Sequence, residues 1–367
     1  MSSDGWPLQC FCGMFYHKAF NSHYNNLTFV KKWSFLMSLT NGVNLQPSYY
    51  SNGDVDFAWS LMRAQSGIRT VRIEIEPDKA VQARGWIQQA CGNGYAVIAT
   101  YHKYSVLGSD ARSELMDAAA WWVGQYTALV SAPASYTVKS PELLRAIAAR
   151  FYGDPGQYLL IASANRIANP NLPIRAGQTL SIPARARTFT INIMNEWGSH
   201  TLTATDYANA YNAAIGTIRG VYGKPFIVDV PGWGQETAVA ASAVKGYKTG
   251  GVKLGDTNLI LSVHIYRDAF VQQKTGSSIV RSGPMDNADL DDLASAGLPC
   301  LVGEFGTGNA GSANWSGLVD HAKSLGWPVL GWAWNGDGGS MNMVSPSWPG
   351  MPPFTLSGYA GTILGKL

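Results

Sequence analysis

The chain has 367 residues, of which 46% are hydrophobic and only 14% charged, with a formal net charge of +3. That length holds one large domain and a small one around a sizeable core, and the near-neutral balance argues against a nucleic-acid or acidic-membrane partner. No run of 18 consecutive apolar residues occurs, so no membrane-spanning helix is expected. Thirteen Trp and 17 Tyr are many for a chain of this size. Some belong to a core, and others offer the flat faces on which sugar rings stack.

Residues 1–37 read as an N-terminal extension outside the core fold. Within it, Lys31-Lys32 followed by Trp33 to Leu39 is faintly like a secretory signal, but the apolar run is short and no clear cleavage site follows. Cys10, Cys12, Cys91 and Cys300 show no C-x-x-C or Cys/His ligand spacing, so neither a zinc site nor any other metal or cofactor is expected.

From Leu45 onward, strands and helices alternate. Strand candidates end near Leu45, Glu76, His102, Glu196, Val230, Tyr266, Glu304 and Trp332. Amphipathic stretches lie between them: Val55 to Gln65 behind Asp54 as N-cap, Ser109 to Val130, Asp206 to Val221, Asp286 to Ala296 and Trp315 to Leu325. Eight such units predict an α/β fold of the TIM (β/α)8 barrel type. Landmarks recur at intervals of 28 to 40 residues except between His102 and Glu196, which are 94 apart. The excess, residues 135–187, reads as strand, helix, helix, strand. It predicts a small βααβ domain inserted between helix 3 and strand 4 of a discontinuous barrel, residues 38–134 and 188–367. It carries seven Lys/Arg against Glu142 and Asp154, which leaves the rest of the chain slightly acidic. An insert before a strand enters through a bottom loop, opposite the face where barrels keep their chemistry, and its paired end strands would let it be removed.

Two strands carry the chemistry. Thr190 to Asn195 leads to Glu196, and Pro299 to Gly303 leads to Glu304, each an apolar run that stops at a carboxylate and then reaches a glycine. Two carboxyls on the C-terminal rim of one barrel are the pairing that retaining glycoside hydrolysis requires, one as acid/base and one as nucleophile.

The inserted segment resembles a LysM domain through Tyr136-Thr137-Val138, Ile147-Ala148, Arg150-Phe151-Tyr152-Gly153-Asp154, Asn165, Ile167, Asn169-Pro170, Gly177-Gln178-Thr179-Leu180 and Ile182-Pro183. The resemblance implies binding of N-acetylglucosamine polymers. The turn that in the family reads Gly-Asp-Thr-Leu is here Ser140-Pro141-Glu142-Leu143, and proline offers no N–H, so weak binding at most is expected. Residues 38–340, with the insert set aside, resemble glycoside hydrolase family 5. Arg72 matches its strand-2 arginine and His102 its strand-3 histidine. Asn195 and Glu196 match the strand-4 pair, His264 and Tyr266 the strand-6 pair, Glu304 the nucleophile, and Trp332 the strand-8 platform, with Trp334 beside it. Trp197 and Gly232-Trp233-Gly234-Gln235 are most like the bacterial endo-β-1,4-mannanases, whereas Asn335 stands where those often have lysine. The resemblance implies a secreted retaining hydrolase acting on mannan or β-glucan. An endo-β-1,4-mannanase is the first reading and an endo-β-1,4-glucanase the second. A carbohydrate-binding protein working through the insert, and a hydrolase directed at chitosan or peptidoglycan, remain as alternatives.

Overall fold

A computed structural model of the chain describes residues 39–246, 252–275 and 278–367, with side chains outside 273–281. Eight parallel strands close into a barrel: β1 Gly42–Leu45, β2 Thr70–Ile75, β3 Ala96–Tyr101, β6 Thr190–Asn192, β7 Phe226–Asp229, β8 Leu259–Ile265, β11 Cys300–Phe305 and β12 Val329–Asn335. The strands β4 Ala134–Thr137 and β5 Thr179–Ile182 belong to the insert. The strands β9 Phe270–Thr275 and β10 Ser278–Pro284 form a hairpin that the sequence pattern did not reveal.

Period-two alternation sorts the barrel strands. Val71, Ile73 and Ile75 of β2, Val97 and Ala99 of β3, and Leu261, Val263 and Ile265 of β8 join one apolar core with the surrounding helices. The intervening positions Arg72, Glu74, Thr100, Asn192, Asp229, Ser262 and His264 are buried and polar. Arg72 meets Asn44 on the neighbouring strand and Asn192 and Glu304 across the barrel, so this part of the barrel interior is a polar lattice rather than an apolar plug. The predicted helices appear at Trp59–Arg63, Arg112–Ser131, Ala204–Ile218, Asn287–Ala294 and Trp315–Ser324. Asp286 caps its helix in a capping box as the sequence suggests. Asp54 does not cap; Asp56 accepts from the Ala58 N–H instead. Cys91 and Cys300 are free thiols. Cys10, Cys12 and the N-terminal extension lie outside the described residues. No helix among the described residues is long and apolar enough to cross a membrane.

The insert is βααβ, with helices Leu144–Tyr152 and Tyr158–Ala164 over the antiparallel β4–β5 pair. It has its own apolar cluster, including Leu144, Ile147, Phe151, Ile161, Leu180 and Ile182. Ala134 pairs with Ile182, so its ends are adjacent. Two features differ from expectation. First, the insert enters below but climbs the barrel flank. Its Lys139 ammonium donates to the Asp54 carbonyl, in the loop that follows β1 on the catalytic side. Second, it docks on the barrel helix Ala80–Gly92 at backbone distance. A Cβ on Gly92 would stand 2.5 Å from the Phe151 carbonyl oxygen, and one on Gly153 would stand 2.1 Å from that of Gly92. Arg187, assigned from sequence to the insert, serves the barrel. Its buried guanidinium donates to the carbonyls of Ala128, Val130 and Ala132 at the end of helix Arg112–Ser131 and to that of Arg84. The Val130 and Ala132 carbonyls lie past the last intrahelical bond, which the Ala132 N–H makes to Ala128.

Excising residues 135–183 behind a short Gly/Ser bridge, with Arg187 kept, is expected to leave a folded barrel. Excision through 187 strips the cap and is expected to cost about 1–3 kcal/mol more. Urea unfolding of both variants measures the difference, and failure of the shorter excision to fold would show that the barrel depends on the docked insert.

Candidate active site

The floor of the site is one guanidinium. Arg72 is fully buried on β2 and donates from Nη1 to Glu304 Oε1 at 2.8 Å, to Glu74 Oε1 at 2.9 Å and to Asn44 Oδ1 at 2.9 Å. Its Nη2 donates to Asn192 Oδ1 at 2.9 Å and to Asn195 Oδ1, and lies 3.7 Å from Asp229. Because Asn195 Oδ1 faces Arg72, its amide Nδ2 is left as a donor for another partner.

The two glutamates stand above this floor with opposite leanings. One carboxylate oxygen of Glu196, one of Glu304 and a ring nitrogen of His264 all lie within 4.8 Å of one another. Burial alone would raise the pKa of Glu304. The cations of His264 and Arg72, with the Tyr266 hydroxyl donating at 2.7 Å, override it and hold Glu304 down at about 2. For Glu196, burial and the neighbouring Glu304 charge raise the pKa against the pull of His264 Nδ1 at 2.9 Å. Burial lowers His264, but Glu304, Asp229 and Glu196 together lift it to about 9. His264 is thus held as a cation between an ionised Glu304 and a Glu196 whose burial favours the protonated form. Environments that push two neighbouring carboxyls apart in this way suit one to give a proton and the other to stay ionised.

The pH dependence follows. Glu304 stays ionised to low pH, so the acid side of kcat/KM is expected to remain high, and the alkaline side is expected to fall as Glu196 loses its proton. Removing the His264 cation in His264→Asn takes away a charge that favours both carboxylates. Both limbs of the profile are then expected to move to higher pH. An unmoved acid limb would contradict the electrostatic role of His264.

Glu196 lies four residues beyond β6 in a left-handed conformation, with φ 50°. Such a backbone costs about 1–3 kcal/mol for a non-glycine residue and persists where neighbours fix it. Here Asp229 accepts from the Glu196 N–H at 3.0 Å, and the Gly108 N–H donates to its carbonyl at 2.8 Å. Asp229 also accepts from Asn192 Nδ2 at 3.2 Å. Sequence reasoning did not single out Asp229 or Glu74. Glu74 stands two residues after Arg72 on the same face of β2, and burial lifts it to about 7 against the cations around it. Strand alternation was the signal that could have found it.

His102 is buried at the rim, with Nδ1 2.9 Å from Glu76 and 3.0 Å from the Tyr49 hydroxyl. Trp332 is half-buried and its indole N–H donates to Asp337 at 3.0 Å. Trp233 is 41% exposed and spreads over Gly108, where a Cβ would come within 2.6 Å of the indole. It borders a cleft of about 330 Å³ with Glu196, Gln235, Tyr266, Phe270 and Asn309. Two expected sugar contacts are corrected. Trp197 is buried, packs edge-on against Tyr211 and donates to the Ala111 carbonyl. Trp334 is wholly buried and donates to the Phe57 carbonyl. Both are core residues, since each indole N–H finds a backbone partner inside the fold.

Glu196, His264 and Glu304 also form the one trio among the described residues whose donor atoms could close on a cation. The donor set fits that role poorly: His264 is held protonated, and Glu304 already accepts from Arg72 and Tyr266.

Residues 186–338 match the family model of cellulase (glycosyl hydrolase family 5), and residues 136–183 match that of the LysM domain. The chain carries a family 5 glycosyl hydrolase domain and a LysM domain. The matched family 5 segment contains Glu196, Trp233, His264, Tyr266, Glu304 and Trp332. Arg72 and His102 lie outside it and reach the same site because the barrel closes. A mannan endo-1,4-beta-mannosidase from Streptomyces lividans is 31% identical over 186 residues, which is 47% of this chain and 42% of that protein. The chain thus spans less than half the length of this relative. The catalytic domain of a mannanase from Streptomyces sp. SirexAA-E superposes with a TM-score of 0.56 at 20% identity, over 90% of this chain and 85% of that one. A β-mannanase from Streptomyces thermolilacinus gives 0.56 at 18% identity, over 89% of each. At such identities the likeness of these structures is one of fold.

Proposed function

We propose that this protein is a retaining, endo-acting β-1,4-glycoside hydrolase and that its substrate is mannan. The observation that carries the proposal is the carboxyl pair, with oxygens within 4.8 Å and pKa values driven in opposite directions. Retaining enzymes place these groups about 5–5.5 Å apart, whereas inverting enzymes leave about 6.5–9.5 Å for a water. Glu304 attacks the anomeric carbon while Glu196 gives its proton to the departing glycosidic oxygen. A covalent glycosyl-enzyme forms, and Glu196 then takes a proton from the water that releases it. Asn195 Nδ2 donates to the sugar 2-hydroxyl as positive charge grows on the ring, and Trp332 and Trp233 offer stacking faces.

Mannan is favoured over β-glucan by the name of the Streptomyces lividans relative and by Gly232-Trp233-Gly234-Gln235. An endo-β-1,4-glucanase is the second reading, supported by the cellulase family model. A polysaccharide substrate and a LysM domain support an extracellular site of action, with at most weak N-acetylglucosamine-polymer binding by the insert. Initial rates on mannan, carboxymethylcellulose and chitosan test the reading. Turnover is expected on mannan at least tenfold above the other two, and a preference for carboxymethylcellulose would transfer the assignment to the glucanase.

A further inference from the structure

Glu74 has no part in the double displacement, yet it lies inside the site. It is wholly buried on β2, two residues after Arg72 and on the same face of the strand. Its neighbours do not need its charge. Arg72 and His264 are the buried cations, and Glu304 and Asp229 already face both. Arg72 lies 2.8 Å from Glu304 and 3.7 Å from Asp229, and His264 lies 3.7 Å and 3.6 Å from the same two. Glu196 leans toward its protonated form. His102 Nε2 stands 3.4 Å from Glu74, but the closer carboxylate to His102 is Glu76, at 2.9 Å. A further negative charge on Arg72 would be a surplus in a dry interior, where an unmatched carboxylate is costly.

Counting hydrogens sharpens this. The Nη1 atom of Arg72 carries two hydrogens and faces three oxygens: Glu304 Oε1 at 2.8 Å, Glu74 Oε1 at 2.9 Å and Asn44 Oδ1 at 2.9 Å. Asn44 cannot be turned over, because its Nδ2 donates to the Gly303 carbonyl at 3.0 Å. The outer oxygens are taken: Gln46 Nε2 donates to Glu74 Oε2 at 2.7 Å, and the Tyr266 hydroxyl donates to Glu304 Oε2 at 2.7 Å. The shortage therefore falls where the two Oε1 atoms share Nη1, and it is met when one of them carries a hydrogen of its own. Burial is the main force on Glu74 and raises it to about 7, and a hydrogen bond with Glu304 raises it too. The same hydrogen bond lowers Glu304, against its own burial. Glu74 is thus the carboxyl that keeps the hydrogen.

We propose that Glu74 is a positioning residue for Glu304: a neutral acid that donates its hydrogen to Glu304 Oε1. Its consequence for turnover rests on Glu304 being the nucleophile. In the first step the Glu304 charge passes into the new bond to the anomeric carbon. In the second, that bond breaks, its electron pair returns to Glu304, and the attacking water gives its proton to Glu196. A donor bonds a charged oxygen more strongly than a neutral one, so Glu74 favours the second step, in which the charge reappears. The hydrogen stays on Glu74 throughout. With Arg72 and Glu74 on one oxygen and Tyr266 on the other, the carboxylate plane is also fixed.

The test has two arms on the full-length protein. Infrared difference spectra at pH 6 compare wild type with Glu74→Gln and Glu196→Gln. A carbonyl band of a protonated, buried carboxyl is expected to vanish in Glu74→Gln and to persist in Glu196→Gln. The second arm follows an aryl β-mannoside whose leaving group needs no proton. In Glu74→Leu the second step slows, so a burst of the aryl alcohol is expected, with kcat and KM falling together by about tenfold or more while kcat/KM changes little. A general loss of packing would lower kcat/KM instead. Glu74→Gln, whose amide can donate in place of the acid, is expected to recover most of the lost kcat. Identical spectra of wild type and Glu74→Gln would overturn the proposal, and so would a Glu74→Gln as slow as Glu74→Leu, which would mean that the charge is what matters. The infrared arm needs no turnover and decides alone if Glu74→Leu fails to fold. Loss of the band with no glycosyl-enzyme in any of these proteins would sustain the Glu74 hydrogen and count against Glu304 as nucleophile.

Discussion

Glu304→Ala is expected to lower kcat/KM on soluble mannan by about 10⁴-fold or more, because no other group can form the glycosyl-enzyme. The space left by the carboxylate lies against Arg72 and the Tyr266 hydroxyl, both donors, so an added anion has partners there. With an aryl β-glycoside whose leaving group needs no proton, azide is expected to restore turnover and give the α-glycosyl azide, since it attacks from the nucleophile's face. In Glu196→Ala the glycosyl-enzyme still forms, and azide is expected to give the β-azide. Analysis of the two azide products assigns the roles, and a β-azide from Glu304→Ala would reverse them.

Arg72→Met is expected to destabilise the fold by about 3–5 kcal/mol at neutral pH as well as to abolish activity. The substitution leaves Glu304, Glu74 and Asp229 buried without the guanidinium they share. The pH dependence has a definite sign. In the native protein the depressed Glu304 contributes stability that is present above its ordinary range and is lost as pH falls toward 2. Without Arg72 that contribution disappears, and Glu304 and Glu74 titrate upward. The deficit is therefore largest near pH 7 and narrows in acid, where protonation relieves it. Urea midpoints of both proteins at pH 7 and pH 4 read this directly, and a deficit that is equal at the two values would contradict the charge-based account.

The barrel was legible because strand ends recur at regular intervals, and the insert because one interval is too long by a small domain. Glu196 and Glu304 were legible because an apolar strand that ends in a carboxylate has no core use for it. What stayed hidden depends on contacts between residues far apart in the chain. Asp229 looked like a strand terminus, and only barrel closure brings it to the Glu196 N–H. Arg187 looked like one more basic residue of the insert until its carbonyl partners were in view. Trp197 and Trp334 carry the residue type of a sugar platform, but burial alone decides whether an indole faces a cleft or a core. The turn at Ser140-Pro141-Glu142 was read as a damaged binding wall. Its residues Ser140 and Glu142 lie beside the barrel loop 51–56, a neighbourhood that only folding of the whole chain creates.

The claim on which the account rests is that Glu304 bonds to the sugar and water later replaces it. Proton NMR of mannohexaose during its first minutes with the wild-type enzyme reports the anomer released before mutarotation. The account predicts that the β-anomer accumulates first. First release of the α-anomer would mean single displacement by water, and neither Glu304 as nucleophile nor Glu196 as acid/base would stand.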